Sequence, residues 1–149
     1  MMPRHVERRV FAFPQEEIFD LVADVEAYPE FLPWCLGVRV TDRSETSLDA
    51  DMLIGFKMFR EKWGSHVILD RESFKIIVRY THGPFRHLEN SWRFLAHKGG
   101  CEVDFFLDFE FRSRILEKAI GNLFADAVYR MVVAFEVRAN QLYKQEQLS

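Results

Sequence analysis

Between Trp34 and Phe111 apolar and polar residues trade places at almost every step, the period of a strand with one buried face. The clearest run is the last, where Val103, Phe105, Leu107, Phe109 and Phe111 alternate with Glu102, Asp104, Phe106, Asp108 and Glu110. Earlier rows are Leu48, Ala50, Met52, Ile54, Phe56 and Met58; Val67 and Leu69; Phe74, Ile76, Val78 and Tyr80; and Leu88, Asn90, Trp92, Phe94 and Ala96. Turn residues at 42–44, 70–73, 83–84 and 98–100 separate them, so the strands read as an antiparallel meander. Arg4 to Phe13 reads as a first strand. Pro14 suits a helix start, with Glu16 and Glu17 at the positive end of a short helix that runs to about Asp24. A second helical turn carries Val25 to Phe31 and stops at Pro33.

After Ser113, a good N-cap, the apolar spacing changes to three and four: Leu116, Ile120, Leu123, Phe124, Ala127, Met131, Ala134, Phe135 and Leu142. One helix is expected to run to about Lys144, with 144–149 as a solvated tail. At 1.5 Å per residue it is roughly 45–50 Å long, more than the ~33 Å of a ten-residue strand. The expectation is a single α+β domain over 1–149. In it a curved antiparallel sheet of about seven strands wraps one long C-terminal helix, with two short helices after strand 1.

Composition narrows the function. The chain has 149 residues, a net charge of −3 and 15 phenylalanines, more than either its leucines or its valines. Mild acidity argues against a general nucleic-acid binder, and no DNA partner is expected. Cys35 and Cys101 lack CxxC spacing and read as buried or free thiols. The start has no apolar leader pattern, and 119–137 is interrupted by Asp126, Arg130 and Glu136, so neither a secretory signal nor a membrane span is expected. His5, His66, His82, His87 and His97 show no metal-binding pair, and no nucleophile or phosphate-loop motif is present. The reading is therefore a cytoplasmic, non-catalytic protein with no metal and no cofactor.

The element order and two motifs resemble the START-like helix-grip superfamily (the polyketide cyclase, or SRPBCC, group). The motifs are Tyr28-Pro29-Glu30-Phe31-Leu32-Pro33-Trp34-Cys35 and Gly83-Pro84-Phe85 with Leu88, Trp92 and Phe94. More narrowly they resemble its coenzyme Q-binding branch, whose bacterial members also include ribosome-association toxins. The resemblance implies a hydrophobic tunnel that accepts a polyprenyl quinone such as ubiquinone in support of respiration. It also implies a bacterial protein with peripheral contact at the inner membrane. Two alternatives accompany it: a toxin-like protein that binds the large ribosomal subunit through exterior cations (Arg39, Lys57, Arg60, Lys62, Arg79, Arg93), and a polyketide cyclase-like enzyme.

The expected tunnel wall is Ile54, Phe56, Met58, Val67, Leu69, Val78, Tyr80, Asn90, Trp92, Phe94, Phe105, Leu107, Phe109, Leu116, Ile120, Phe124 and Met131. Either these residues line a space or they pack on one another as core, which alternation alone does not decide. Three polar groups fall on these faces. Tyr80, Asn90 and Arg138 either donate to a ligand's carbonyls, or Asn90 satisfies nearby backbone and Arg138 reaches solvent. Pro33, Trp34, Pro84 and Phe85 either form the tunnel mouth, where aromatics touch a membrane, or are rigid corner pieces.

Overall fold

The computed structural model describes residues 4–148, with side chains through Tyr143. Seven strands form one antiparallel sheet: β1 (Arg4–Phe11), β2 (Cys35–Arg43), β3 (Ser47–Phe56), β4 (Phe59–Asp70), β5 (Lys75–His82), β6 (Phe85–His97) and β7 (Gly100–Phe111). Their order is β1-β7-β6-β5-β4-β3-β2. Thus β2 to β7 are a meander and β1 closes against the last strand. The chain crosses from one edge of the sheet to the other through helix α1 (Gln15–Ala23) and a 3₁₀ segment, Val25–Glu30. β7 follows its alternation without a break, every odd residue from Cys101 to Phe111 being buried. Its register on β6 sets Phe105 opposite Trp92 and Leu107 opposite Asn90.

The long C-terminal helix is instead two, α2 (Arg114–Tyr129) and α3 (Met131–Leu148), and α3 runs beyond the expected end near Lys144. The expected tail at 144–149 is thus helical backbone to Leu148; its side chains lie outside the described residues, as does all of Ser149. Ser113 caps α2 as expected, its Oγ accepting from the Leu116 N–H at 3.1 Å. At the break the Arg130 N–H is shared between the carbonyls of Asp126 (3.2 Å) and Ala127 (3.3 Å), the tightened end of a helix. No proline or glycine marks the place, so the apolar spacing runs through it. α2 packs on β7 and β3, whereas α3 packs on α1 and β1. Tyr143 at its far end donates to the Glu17 carbonyl at 3.0 Å.

One inward assignment is corrected by the fold. Met58 is 91% exposed, because the chain reverses at Lys57 and Met58 between the closing pair Phe56 and Phe59. Two-residue hairpins usually carry glycine or asparagine where φ is positive. Here Lys57 takes that position, at φ 56°, and the turn leaves no mark in the sequence.

Candidate functional site

The space between the sheet and the helices has two regions. At the end that carries the β3–β4 and β5–β6 turns it is solid aromatic packing. Phe85, fully buried, is the hub, with ring centroids 5.2 Å from Trp63, 5.7 Å from Tyr80, 6.0 Å from Phe109, 4.9 Å from Phe111 and 5.2 Å from Phe124. Phe124 reaches on to Phe56 at 6.0 Å. The Tyr80 hydroxyl accepts from the Phe85 N–H at 3.0 Å, which ties the plug to the strand beside it.

Next to this plug lies an apolar cavity of about 60 Å³. Its wall takes Val22 from α1, Val25 and Tyr28 from the 3₁₀ segment, and Leu32 and Trp34 from the following turn. The sheet contributes Ala50, Met52, Trp63, Ser65, Val67, Ile76, Val78, Asn90, Trp92 and Leu107, and α3 closes it with Met131 and Phe135. Two polar details matter. Asn90 Nδ2 donates to the Phe106 carbonyl at 2.9 Å. Trp63, only 8% exposed, has a buried Nε1–H without an acceptor. Tyr28 is the single titratable residue on the wall; its hydroxyl donates to the Val22 carbonyl, and burial pushes the phenol up.

The expected wall therefore divides. Val67, Val78, Asn90, Trp92, Leu107 and Met131 border the cavity. Phe56, Tyr80, Phe109 and Phe124 belong to the plug. Ile54, Leu69, Phe94, Phe105, Leu116 and Ile120 are buried core away from the cavity. Among the expected mouth residues, Pro33 is exposed, Trp34 is on the cavity wall, and Pro84 and Phe85 are buried. Trp34 and Phe85 thus present no ring to a membrane. Their large apolar area is already covered by the plug and the cavity wall. Tyr80 and Arg138 do not reach the cavity either. Arg138 lies over the Phe31 ring at 5.3 Å and donates to Glu30 at 3.3 Å. Trp63 and Ser65 were within reach of the sequence, since stepping back by two from Val67 lands on them. Val22, Val25 and Tyr28 were not, because only tertiary packing turns that side of the helical segment toward the sheet.

A model of the polyketide cyclase / dehydrase and lipid transport family matches residues 11–136. The chain belongs to that family. A family member named ribosome association toxin RatA, from Rickettsia prowazekii, is 35% identical over 139 residues, covering 91% of this chain and 95% of its own. A mitochondrial coenzyme Q-binding protein COQ10 homolog B from Xenopus laevis is 31% identical over 146 residues, 95% of this chain and 60% of that protein. Among solved structures, a START superfamily protein from Mycobacterium smegmatis superposes with a TM-score of 0.77 at 18% identity, over 93% of this chain and 98% of that one. The chain shares the seven-stranded START fold of that structure.

Among the described residues no three His, Cys, Asp or Glu side chains are grouped to hold a metal, and no helix is long and apolar enough to cross a membrane.

Proposed function

We propose that this chain is a non-catalytic binding protein for an apolar, carbonyl-bearing lipid, a polyprenyl quinone above all, which it carries in the cytoplasm and at the inner membrane face. The observation that carries the reading is the Trp63 Nε1–H, a buried donor without an acceptor, on a residue that borders a mostly apolar cavity. An unpaired buried donor costs about 1–3 kcal/mol, which a ligand carbonyl placed against it recovers. A wall whose one titratable group is a phenol held neutral by burial favours binding over acid–base chemistry.

At about 60 Å³ the space is small for a ligand site. Ligand sites span roughly 300–1,000 Å³. A quinone ring thus enters by displacing wall side chains. Met52 and Met131 are the unbranched, readily repacked ones, and Met131 directly follows the break in the helix. The test is native mass spectrometry with organic extraction on protein purified from its own membrane-containing lysate. Near-stoichiometric quinone is expected. Protein that stays empty after incubation with quinone-loaded liposomes overturns the reading.

A second reading, association with the large ribosomal subunit, draws on the Rickettsia relative's name. Arg39, Lys57, Arg60, Lys62, Arg79 and Arg93 are all exposed, as contact with rRNA phosphates requires. Co-migration with large subunits in a sucrose gradient, lost on charge reversal at these positions, is its expected signature.

A further inference from the structure

One end of the molecule combines protruding apolar groups with cations that have no acidic partner. Met58 stands at the tip of the β3–β4 hairpin, with Phe59 beside it at 38% exposure. Ile115, in the first turn of α2, is 78% exposed. The three share an end of the sheet. The Phe56 ring packs on Phe124 of α2, and the Arg112 N–H donates to the Pro84 carbonyl at 2.9 Å, joining the start of α2 to the β5–β6 turn.

Around these groups lie Lys57, Arg60, Lys62, Arg112 and Arg114, all exposed. Among the described residues none of the five forms an ion pair, although Glu61 and Glu117 are close in sequence. The far end of the sheet mixes paired and unpaired cations, Lys75, Arg93 and Lys98 having no ion pair among the described residues. There Arg43 is paired with Glu26, and Arg71 with Asp20 at 2.7 Å. The chain is acidic as a whole, yet this end sets five unpaired cations around its two most exposed apolar side chains, Met58 and Ile115.

We infer that this end docks on the surface of an anionic lipid bilayer, with Met58, Phe59 and Ile115 entering the interfacial layer and the five cations meeting lipid phosphates. A membrane interface accepts both kinds of group at once, apolar side chains below the headgroups and cations among them. A nucleic acid satisfies the cations but offers nothing to an exposed methionine and isoleucine. The inference holds whatever the cavity carries, since no cavity residue enters the argument.

The experiment is flotation of the full chain with vesicles of neutral phosphatidylcholine and of phosphatidylcholine mixed with phosphatidylglycerol. Variants are Met58→Asp, the double reversal Lys57→Glu/Arg60→Glu, and Lys98→Glu in the β6–β7 turn at the far end. Wild type and Lys98→Glu are expected to float with the anionic vesicles and not with the neutral ones. Met58→Asp and the double reversal are expected to lose at least tenfold in vesicle affinity with the unfolding midpoint unchanged, because all three positions are exposed. Wild type that ignores anionic vesicles overturns the inference, and so does Met58→Asp binding like wild type. A double reversal that abolishes binding to ribosomal RNA while vesicle flotation is unaffected overturns it in favour of a nucleic-acid surface.

Discussion

The aromatic plug and the cavity beside it are built from the same strands, by the same alternation, yet one is closed and the other is not. In the plug every ring meets another ring: Phe85 touches five, and Phe124 lies 4.7 Å from Phe109. One layer on, the sheet's share of the wall includes the smaller side chains Ala50, Ser65, Val67, Ile76 and Val78, and a space remains although Trp34, Trp63, Trp92, Tyr28 and Phe135 also border it. Small side chains at successive inward positions of the sheet leave the space that the rings around it do not fill. The plug also lies between the cavity and the exposed hairpin tip. A ligand arriving from that end must pass the plug or avoid it.

The largest effect should come from removing the hub. Phe85→Ala deletes a ring with neighbours on every side, and a loss of about 3–5 kcal/mol is expected in urea denaturation. A loss below about 1 kcal/mol would mean that the plug is loosely packed and that the two regions are less different than they look. Next come two enlargements of opposite sign. Ile54→Trp forces bulk into filled core and should cost about 1–3 kcal/mol. Ala50→Leu grows into the cavity and should be neutral or stabilising by up to about 2 kcal/mol, while lowering quinone uptake more than tenfold. Equal destabilisation by both would erase the distinction between filled core and cavity.

The sequence carried the sheet better than it carried the site, for a physical reason. Strand order follows from alternation and short turns, both local. That held for β7, whose buried row matches the reading residue by residue. It failed at Met58, where a Lys-Met turn without glycine let an alternating row appear to continue past its end. It failed again at Arg130, where α2 ends without proline or glycine. The cavity was half legible. Val67, Val78, Asn90, Trp92, Leu107 and Met131 reach it, but Phe109 and Phe124, identical in pattern, pack solid. Apolar residues at alternate positions state which way a side chain faces. Whether another side chain meets it depends on partners from α1, the 3₁₀ segment and α3.

A smaller effect separates binding from packing on the cavity wall. Trp63→Phe keeps a ring against Phe85 and Phe124 but removes the unpaired Nε1–H. Stability should move by less than about 1 kcal/mol, since lost area and relief of an unsatisfied donor oppose one another. Quinone affinity measured by fluorescence-independent calorimetry should fall about tenfold, equivalent to about 1.4 kcal/mol. Unchanged affinity would remove Trp63 from the headgroup contact and leave the cavity as a site for the apolar tail.

The smallest effect asks whether the cavity side is also the looser side. Cys35, one residue after the wall residue Trp34, and Cys101, paired in register with Phe11, are both buried free thiols. Burial pushes each from 9.0 up to about 11, because a thiolate is poorly solvated there. A thiol pKa raised on folding means that the native state holds its proton longer than the unfolded chain does. The stabilisation is complete below about pH 9 and is lost as pH climbs through about 11, a decline that Cys35→Ala or Cys101→Ala should flatten. At pH 8 both should react with an aromatic disulfide far more slowly than in denaturant, because the thiolate is scarce and covered. If repacking around Met131 opens the cavity from time to time, Cys35 should react a few-fold faster than Cys101, and quinone should slow Cys35 alone. Equal rates, both tracking global unfolding, would mean that the cavity wall moves no more readily than the aromatic plug, and ligand entry would then require the fold to open as a whole.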